Sequence, residues 1–202
     1  EIGSGLVGSE MCIRDSDCEE YFFAFMLRRK GWYMYWINYK VCELLYKLKL
    51  RSKTRTREAE YRFLPKVDDL DRALEDYWDT HQTYMMDWYL KAKQPTDVIA
   101  TGSPRFLMEP IAKRLGGVGL VATDMDPRTG KIRGEFAVYE HKLAQFKKQF
   151  DPAAIDNFYS DDYSDHYLAN CAKRAFVVRN GGQITEWNEF FSKNKRRQKS
   201  IH

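Results

Sequence analysis

No apolar run in this chain approaches the roughly 20 residues needed to cross a bilayer. The start also lacks a basic stretch followed by an apolar one, which argues against a signal peptide. Cysteine is scarce: Cys12, Cys18, Cys42 and Cys171 form no CxxC pair and are too sparse to staple a small secreted domain. Buried or idle thiols in a reducing cytosol are the expectation. Excess charge is small as well, since a net +4 falls short of a dedicated nucleic-acid binder. No repeat is visible. What remains is an ordinary globular composition, 44% apolar and 31% charged, with aromatics high at 15%. Its 202 residues are enough for one sizeable domain, or for a compact core with a small insertion.

The first sixteen residues, EIGSGLVGSEMCIRDS, stand apart from the rest. Gly3, Gly5 and Gly8 fit a GxGxxG pattern, but a dinucleotide loop needs a strand before it and a helix after it. The chain as it stands has barely begun at Gly3, so the pattern is expected to have little force. The run GSGLVGSEMCIRDS instead resembles the conceptual translation of a sequencing-library adapter and is set aside from fold reasoning.

From Asp17 to Gln94 the pattern is helical and aromatic. Phe22, Phe23 and Met26 share a face, and Val41, Leu44, Leu45 and Leu48 fall at i, i+3, i+4 and i+7. Leu70, Leu74, Tyr77, Trp78, His81, Met85, Trp88 and Tyr89 suggest one longer helix, with Asp68, Asp69 and Asp71 at its start. Between them Lys47–Arg57 is basic and polar, expected to hold a helix end and a loop. At Pro95 the grammar changes. Asp97–Ala100 reads as a buried parallel strand and runs into Thr101-Gly102-Ser103-Pro104, with Ser103 the expected N-cap of a helix over Arg105–Leu115. Strand signals follow at Val118–Thr123, Asn157–Tyr159 and Ala175–Val178, an extended segment at Lys131–Val138, and helix signals near Glu140–Phe150 and from Ser164. Strands alternating with helices imply an α/β fold with a parallel sheet covered on both faces, whose chemistry lies at the carboxyl ends of the strands. The basic stretch Lys193–Lys199 reads as a solvated tail.

Three groups of residues fall at or near such strand ends. Thr101, Gly102 and Ser103 sit between a strand and a helix start, where a hydroxyl and free N–H groups can cradle phosphate; a plain turn with an N-cap is the alternative. Lys142, near the start of a predicted helix, could neutralise phosphate oxygens or simply be solvated. The cluster Ser160-Asp161-Asp162-Tyr163-Ser164-Asp165 packs carboxylates that repel unless a cation or hydrogen bonds compensate. Mg²⁺ commonly uses one or two carboxylates together with water and phosphate. An acidic turn capped by Ser164 or Asp162 is the plainer reading.

The order and spacing of the three groups resemble the haloacid-dehalogenase superfamily, in its phosphoserine-phosphatase-like branch. The matching text is Val98-Ile-Ala-Thr101-Gly-Ser-Pro-Arg-Phe-Leu, Tyr139-Glu-His-Lys142 and Tyr159-Ser-Asp161-Asp-Tyr-Ser-Asp165, with Glu109–Gly116 and Thr129–Gly134 in support. The resemblance covers Asp17 to Trp187. It implies a Rossmann-like parallel core over 95–191, a helical cap over 17–94 and a basic tail over 192–202, behind a foreign 1–16. It further implies a Mg²⁺-dependent hydrolase of phosphate monoesters acting through an aspartyl-phosphate. Thr101, with Gly102 and Ser103, would hold the phosphoryl group, Lys142 would offset its charge, and Asp161 and Asp165 would hold the metal directly or through water.

One element of the family pattern is missing. The family's first strand ends in DxDxT or a close variant, supplying the nucleophile and the general acid. Asp15 and Asp17 have the right separation, but neither the apolar strand nor the threonine flanks them. The first, central strand is therefore expected to be absent, the chain inactive, and the two inner strands short of a ladder partner, which favours aggregation. Partners implied are a phosphorylated small molecule or a lipid headgroup, with no nucleic acid; the setting is cytoplasmic or peripheral to a membrane, and oligomeric state is open. Two other readings compete: a lipid- or nucleic-acid-binding module using the aromatic, basic Arg28–Arg57, and a naturally inactive family member.

Overall fold

The computed structural model describes residues 6–8, 18–82, 85–179 and 182–193. Its centre is a six-stranded sheet in the order β3-β2-β1-β4-β5-β6, formed by Leu6–Gly8 (β1), Val98–Pro104 (β2), Gly119–Thr123 (β3), Asn157–Ser160 (β4), Arg174–Arg179 (β5) and Gln183–Glu186 (β6). The pairings are parallel except for the last, β5 with β6. Val98–Ala100 of β2 and Leu120–Ala122 of β3 are short apolar runs because both sheet faces are covered. Val98, Ala100 and Val121 point into a layer with Phe146, Phe158 and Trp187, whereas Ile99, Leu120 and Ala122 point the other way, towards Leu107, Met108 and aromatics such as Phe22 and Trp78.

The expectation that the inner strands lack a partner is overturned. Leu6-Val7-Gly8, inside the run set aside as foreign, pairs Val7 with Val98 and with Phe158, and Gly8 with Ile99 and with Tyr159. The physical reason is that ladder hydrogen bonds come from the main chain, so any short apolar segment can fill the gap. Val7 is completely buried there.

Cys18–Lys30 (α1), Tyr33–Lys47 (α2), Lys53–Glu60 (α3), Leu70–His81 (α4) and Asp87–Ala92 (α5) precede β2. Phe22, Phe23, Tyr61, Phe63, Tyr77 and Trp78 make their common core; Phe22 meets Tyr77 edge-on at 5.3 Å between centroids. Two helix expectations change. The long helix stops at His81 and resumes at Asp87. The basic stretch contains helix α3, whose start is fixed by Ser52, its hydroxyl accepting from the Arg55 backbone N–H at 3.3 Å. After β2 come Arg105–Arg114 (α6), Glu140–Lys147 (α7), His166–Ala169 (α8) and Trp187–Lys193 (α9). The extended segment expected over 131–138 is mostly irregular, with one bridge between Met125 and Ile132. Among the described residues no helix is long and apolar enough to cross a membrane.

Candidate active site

Strand β2 runs past Ala100 to Pro104, and its register with β3 shifts between those two residues. Ser103 consequently lies in the strand. Pro104 holds the position before α6, with no side-chain cap, so the expected Ser103 N-cap is corrected. The irregularity re-aims the strand end, as bulges near active sites do. Thr101 and Ser103 are buried, and the Ser103 N–H donates to the Thr101 hydroxyl at 3.0 Å. Thr123 ties the neighbouring loop to this corner: its hydroxyl donates to the Gly102 carbonyl at 2.6 Å and accepts from the Ala137 N–H at 3.2 Å. Gly102 lies against that loop, and a Cβ there would come within 3.3 Å of a Val138 methyl.

Lys142 sits in the first turn of α7, just after Tyr139, which holds a left-handed φ of 52°. A non-glycine residue in that region is strained, and such strain gathers at functional sites. The Lys142 ammonium is buried against the carboxylate of Asp165. The other Asp165 oxygen accepts from the Ser160 hydroxyl at 2.7 Å. A buried lysine is thus held by a buried carboxylate that is itself anchored to the end of β4.

Asp161 follows β4 directly, its carbonyl accepting from Arg179 at 2.5 Å. Burial, and then the nearby carboxylates of Asp165 and Asp162, push the Asp161 carboxyl above the usual carboxylate range, against a backbone hydrogen bond and Arg179. Asp162 caps the next turn, accepting from the Ser164 N–H at 2.7 Å. A raised pKa means that the fold disfavours ionised Asp161. That cost is present at neutral pH and is relieved as pH falls through the raised pKa towards the unfolded value. Asp161→Asn is therefore expected to raise Tm in metal-free buffer at neutral pH, with the gain shrinking on acidification; thermal unfolding at a series of pH values checks it.

Thr101, Gly102, Ser103, Lys142, Asp161 and Asp165 all line one cavity of about 280 Å³. The carboxyl ends of β2 and β4 thus bring together every sequence-predicted site residue. The same cavity also takes Glu19 from α1 and Lys53 and Arg57 from α3, residues that sequence reasoning missed. Their signal was the i, i+4 spacing of Lys53 and Arg57 behind a capping Ser52, legible only if the stretch is read as helix. Arg57 is ion-paired with Glu19 and, at 2.7 Å, with Glu60. The Lys53 ammonium lies 4.9 Å from the Tyr139 ring centroid. Burial, with Arg57 and Lys142 adding repulsion, lowers the Lys53 pKa against the pull of Tyr46 and Asp162. The cavity therefore sets three cations, two of them from α3, beside the Asp161 cluster. Asp15 and Asp17 lie outside the described residues.

Among the described residues no three His, Cys, Asp or Glu side chains gather closely enough to hold a metal by themselves. The available donors around Asp161 are all oxygen, which suits Mg²⁺, an ion that needs few carboxylates and completes its shell with water and phosphate.

A model of the haloacid dehalogenase-like hydrolases matches residues 13–170. Comparison with curated protein sequences returned no match. Among solved structures, a protein of unknown function from Bordetella pertussis Tohama I is similar with a TM-score of 0.77 at 17% identity, over 95% of each chain. A probable phosphoserine phosphatase from Vibrio cholerae gives 0.60 at 12% identity, over 98% of this chain and 67% of that one. A hydrolase of the haloacid-dehalogenase family from Salmonella enterica serovar Typhi gives 0.57 at 12%, over 84% and 61%. These structural likenesses establish the fold.

Proposed function

Because the chain belongs to the haloacid dehalogenase-like hydrolases, we propose that its cavity receives the phosphoryl group of a phosphate monoester. The observation that carries this reading is the convergence of Thr101, Lys142 and Asp161 in one pocket together with Lys53 and Arg57. The Thr101 hydroxyl and the N–H groups beside it would bind one phosphoryl oxygen. Lys142, held in place by Asp165, would stand as a fixed positive charge against the phosphate, already desolvated and so needing no reorganisation on binding. Asp161 would hold Mg²⁺; Asp165, with both oxygens committed to Lys142 and Ser160, acts through the lysine. When bound, the metal supplies charge neutralisation at the phosphoryl oxygens. Lys53 and Arg57 would close over the substrate from the cap, exclude water and contact the leaving group.

Hydrolysis in this family resemblance also needs a carboxylate at the end of the central strand, to attack phosphorus as the alcohol leaves. The described part of that strand, Leu6-Val7-Gly8, carries none, and no Asp-x-Asp-x-Thr segment follows it in the sequence. The chain as it stands is accordingly proposed to bind phosphate without turning substrate over. Titration of the intact chain with inorganic phosphate in Mg²⁺ buffer, followed by calorimetry, tests the binding step. Saturable binding is expected, weakened about tenfold by Thr101→Val, the loss of one hydrogen bond to a charged group. No saturable binding in a folded sample would overturn the reading.

A further inference from the structure

We propose that the outward face of α2, together with its basic flanks, is a docking surface for an anionic lipid membrane. Helix α2 is apolar on two sides. On one, Tyr35, Tyr39, Cys42 and Leu45 turn towards the body, with Tyr39 edge-on to Phe23 at 5.7 Å and the Cys42 carbonyl accepting from Thr56 of α3 at 3.5 Å. On the other, Met34, Ile37, Val41, Leu44 and Leu48 recur at spacings of three and four and face solvent, Met34 at 75% and Leu44 at 57% exposure. Tyr33 and Trp36 widen this stripe at one end, and Leu50 extends it at the other. An exposed apolar stripe of this length on a well-packed helix has a binding role as its first explanation.

Charge selects the occupant. Residues 28–57 hold ten Lys and Arg against the single Glu43, a formal +9 in a chain whose total is +4. Arg57, which lines the cavity, is paired with Glu19 and Glu60. Outside the cavity, three acidic side chains answer four of these cations: Glu43 pairs with Lys40 and Lys47, Asp68 with Lys30 and Asp76 with Arg29. These are surface pairs, which lipid phosphates can exchange at little cost. Lys49 and Arg51 stand beside the apolar end at Leu48 and Leu50. A second copy of the chain laid on the same stripe would bring two such segments together and repel. An anionic bilayer takes both features at once, with apolar and aromatic side chains at the headgroup boundary and cations on the phosphates. The surface is separate from the cavity, and its occupant does not depend on the catalytic reading. Helix α3 does border both, since it carries Lys53 and Arg57 into the cavity.

The test is co-sedimentation of the intact chain with vesicles of phosphatidylcholine alone, and of phosphatidylcholine and phosphatidylglycerol in equal parts. Binding is expected to the mixed vesicles only, and to fall as salt is raised. Ile37→Asp with Leu44→Asp should lower partitioning by at least about tenfold. These positions are exposed, so the far-ultraviolet circular dichroism and Tm should be unchanged. Absent binding, salt-independent binding to both vesicles, or wild-type binding by the double variant each overturn the proposal. So does a dimer in solution that the same substitutions disperse, which would assign the stripe to self-association. Oligonucleotide binding that the substitutions leave intact, without vesicle binding, would assign the basic flanks to nucleic acid instead.

Discussion

Replacing the segment around Leu6–Gly8 with an apolar strand that ends in Asp-x-Asp-x-Thr should turn this chain from the proposed phosphate binder into a phosphatase, raising turnover by about 10⁴-fold or more. The size follows from what a nucleophile does. Residues that orient and neutralise cannot form the bond to phosphorus, so all covalent catalysis is lost with the attacking carboxylate. The place follows from the sheet. β1 lies between β2 and β4, with Gly8 opposite Ile99 and Tyr159. Two residues further along those neighbours stand Thr101 and Asp161, which line the cavity. An introduced strand in the same register would therefore deliver its first aspartate between the Thr101 corner and the Asp161 cluster. Phosphate release from a panel of phosphomonoesters, with and without Mg²⁺, measures the gain, and Asp→Asn at the introduced nucleophile should abolish it. A graft that folds and binds phosphate yet hydrolyses nothing would rule out the hydrolytic reading.

The convergence of the strand-end residues on one cavity was largely legible beforehand because they sit in strong local signals. Val98-Ile-Ala is a short apolar run followed by a glycine turn, and Asp161 and Asp165 follow another strand, so both groups fall at strand ends once a parallel sheet is inferred. The contribution of α3 was hidden for a physical reason. Lys53 and Arg57 occupy a run of alternating basic and polar residues with no apolar periodicity of its own, and only tertiary packing turns it into a helix aimed at the cavity. Ser103 looked like a helix cap because Pro104 follows it, but the bulge in β2 keeps it in the strand. Leu6–Gly8 carried even less information. Three residues among glycines and serines have no periodicity, and their strand state is imposed by the open ladder edges on either side. Asp165 shows the remaining gap: spacing puts it near Asp161, but only the folded geometry shows its two oxygens accepting from Lys142 and Ser160.

Lys142→Met should cost about 3–5 kcal/mol of folding stability at neutral pH, the penalty for leaving a buried charge without its partner. The side chains of Lys142 and Asp165 are 8% and 4% exposed, so water does little to screen either one. Removing the ammonium leaves the Asp165 carboxylate with the Ser160 hydroxyl and without its ion-pair partner. Asp165→Asn alone should also destabilise, by stranding the lysine. The double change Lys142→Met with Asp165→Leu should recover most of the loss, because a buried ion pair replaced by apolar side chains of similar volume is often close to neutral. Urea unfolding of the wild type, both single variants and the double variant closes the cycle. Single costs below about 1 kcal/mol would mean that water reaches the pair, as at a surface ion pair, and the fixed-charge role given to Lys142 would fall with them. The same four proteins separate stability from function. If the pair exists to hold a cation against phosphate, the double variant should unfold near the wild-type urea concentration and still bind phosphate as poorly as Lys142→Met. Recovered stability without recovered binding would place the pair in the protein for its site rather than for its fold.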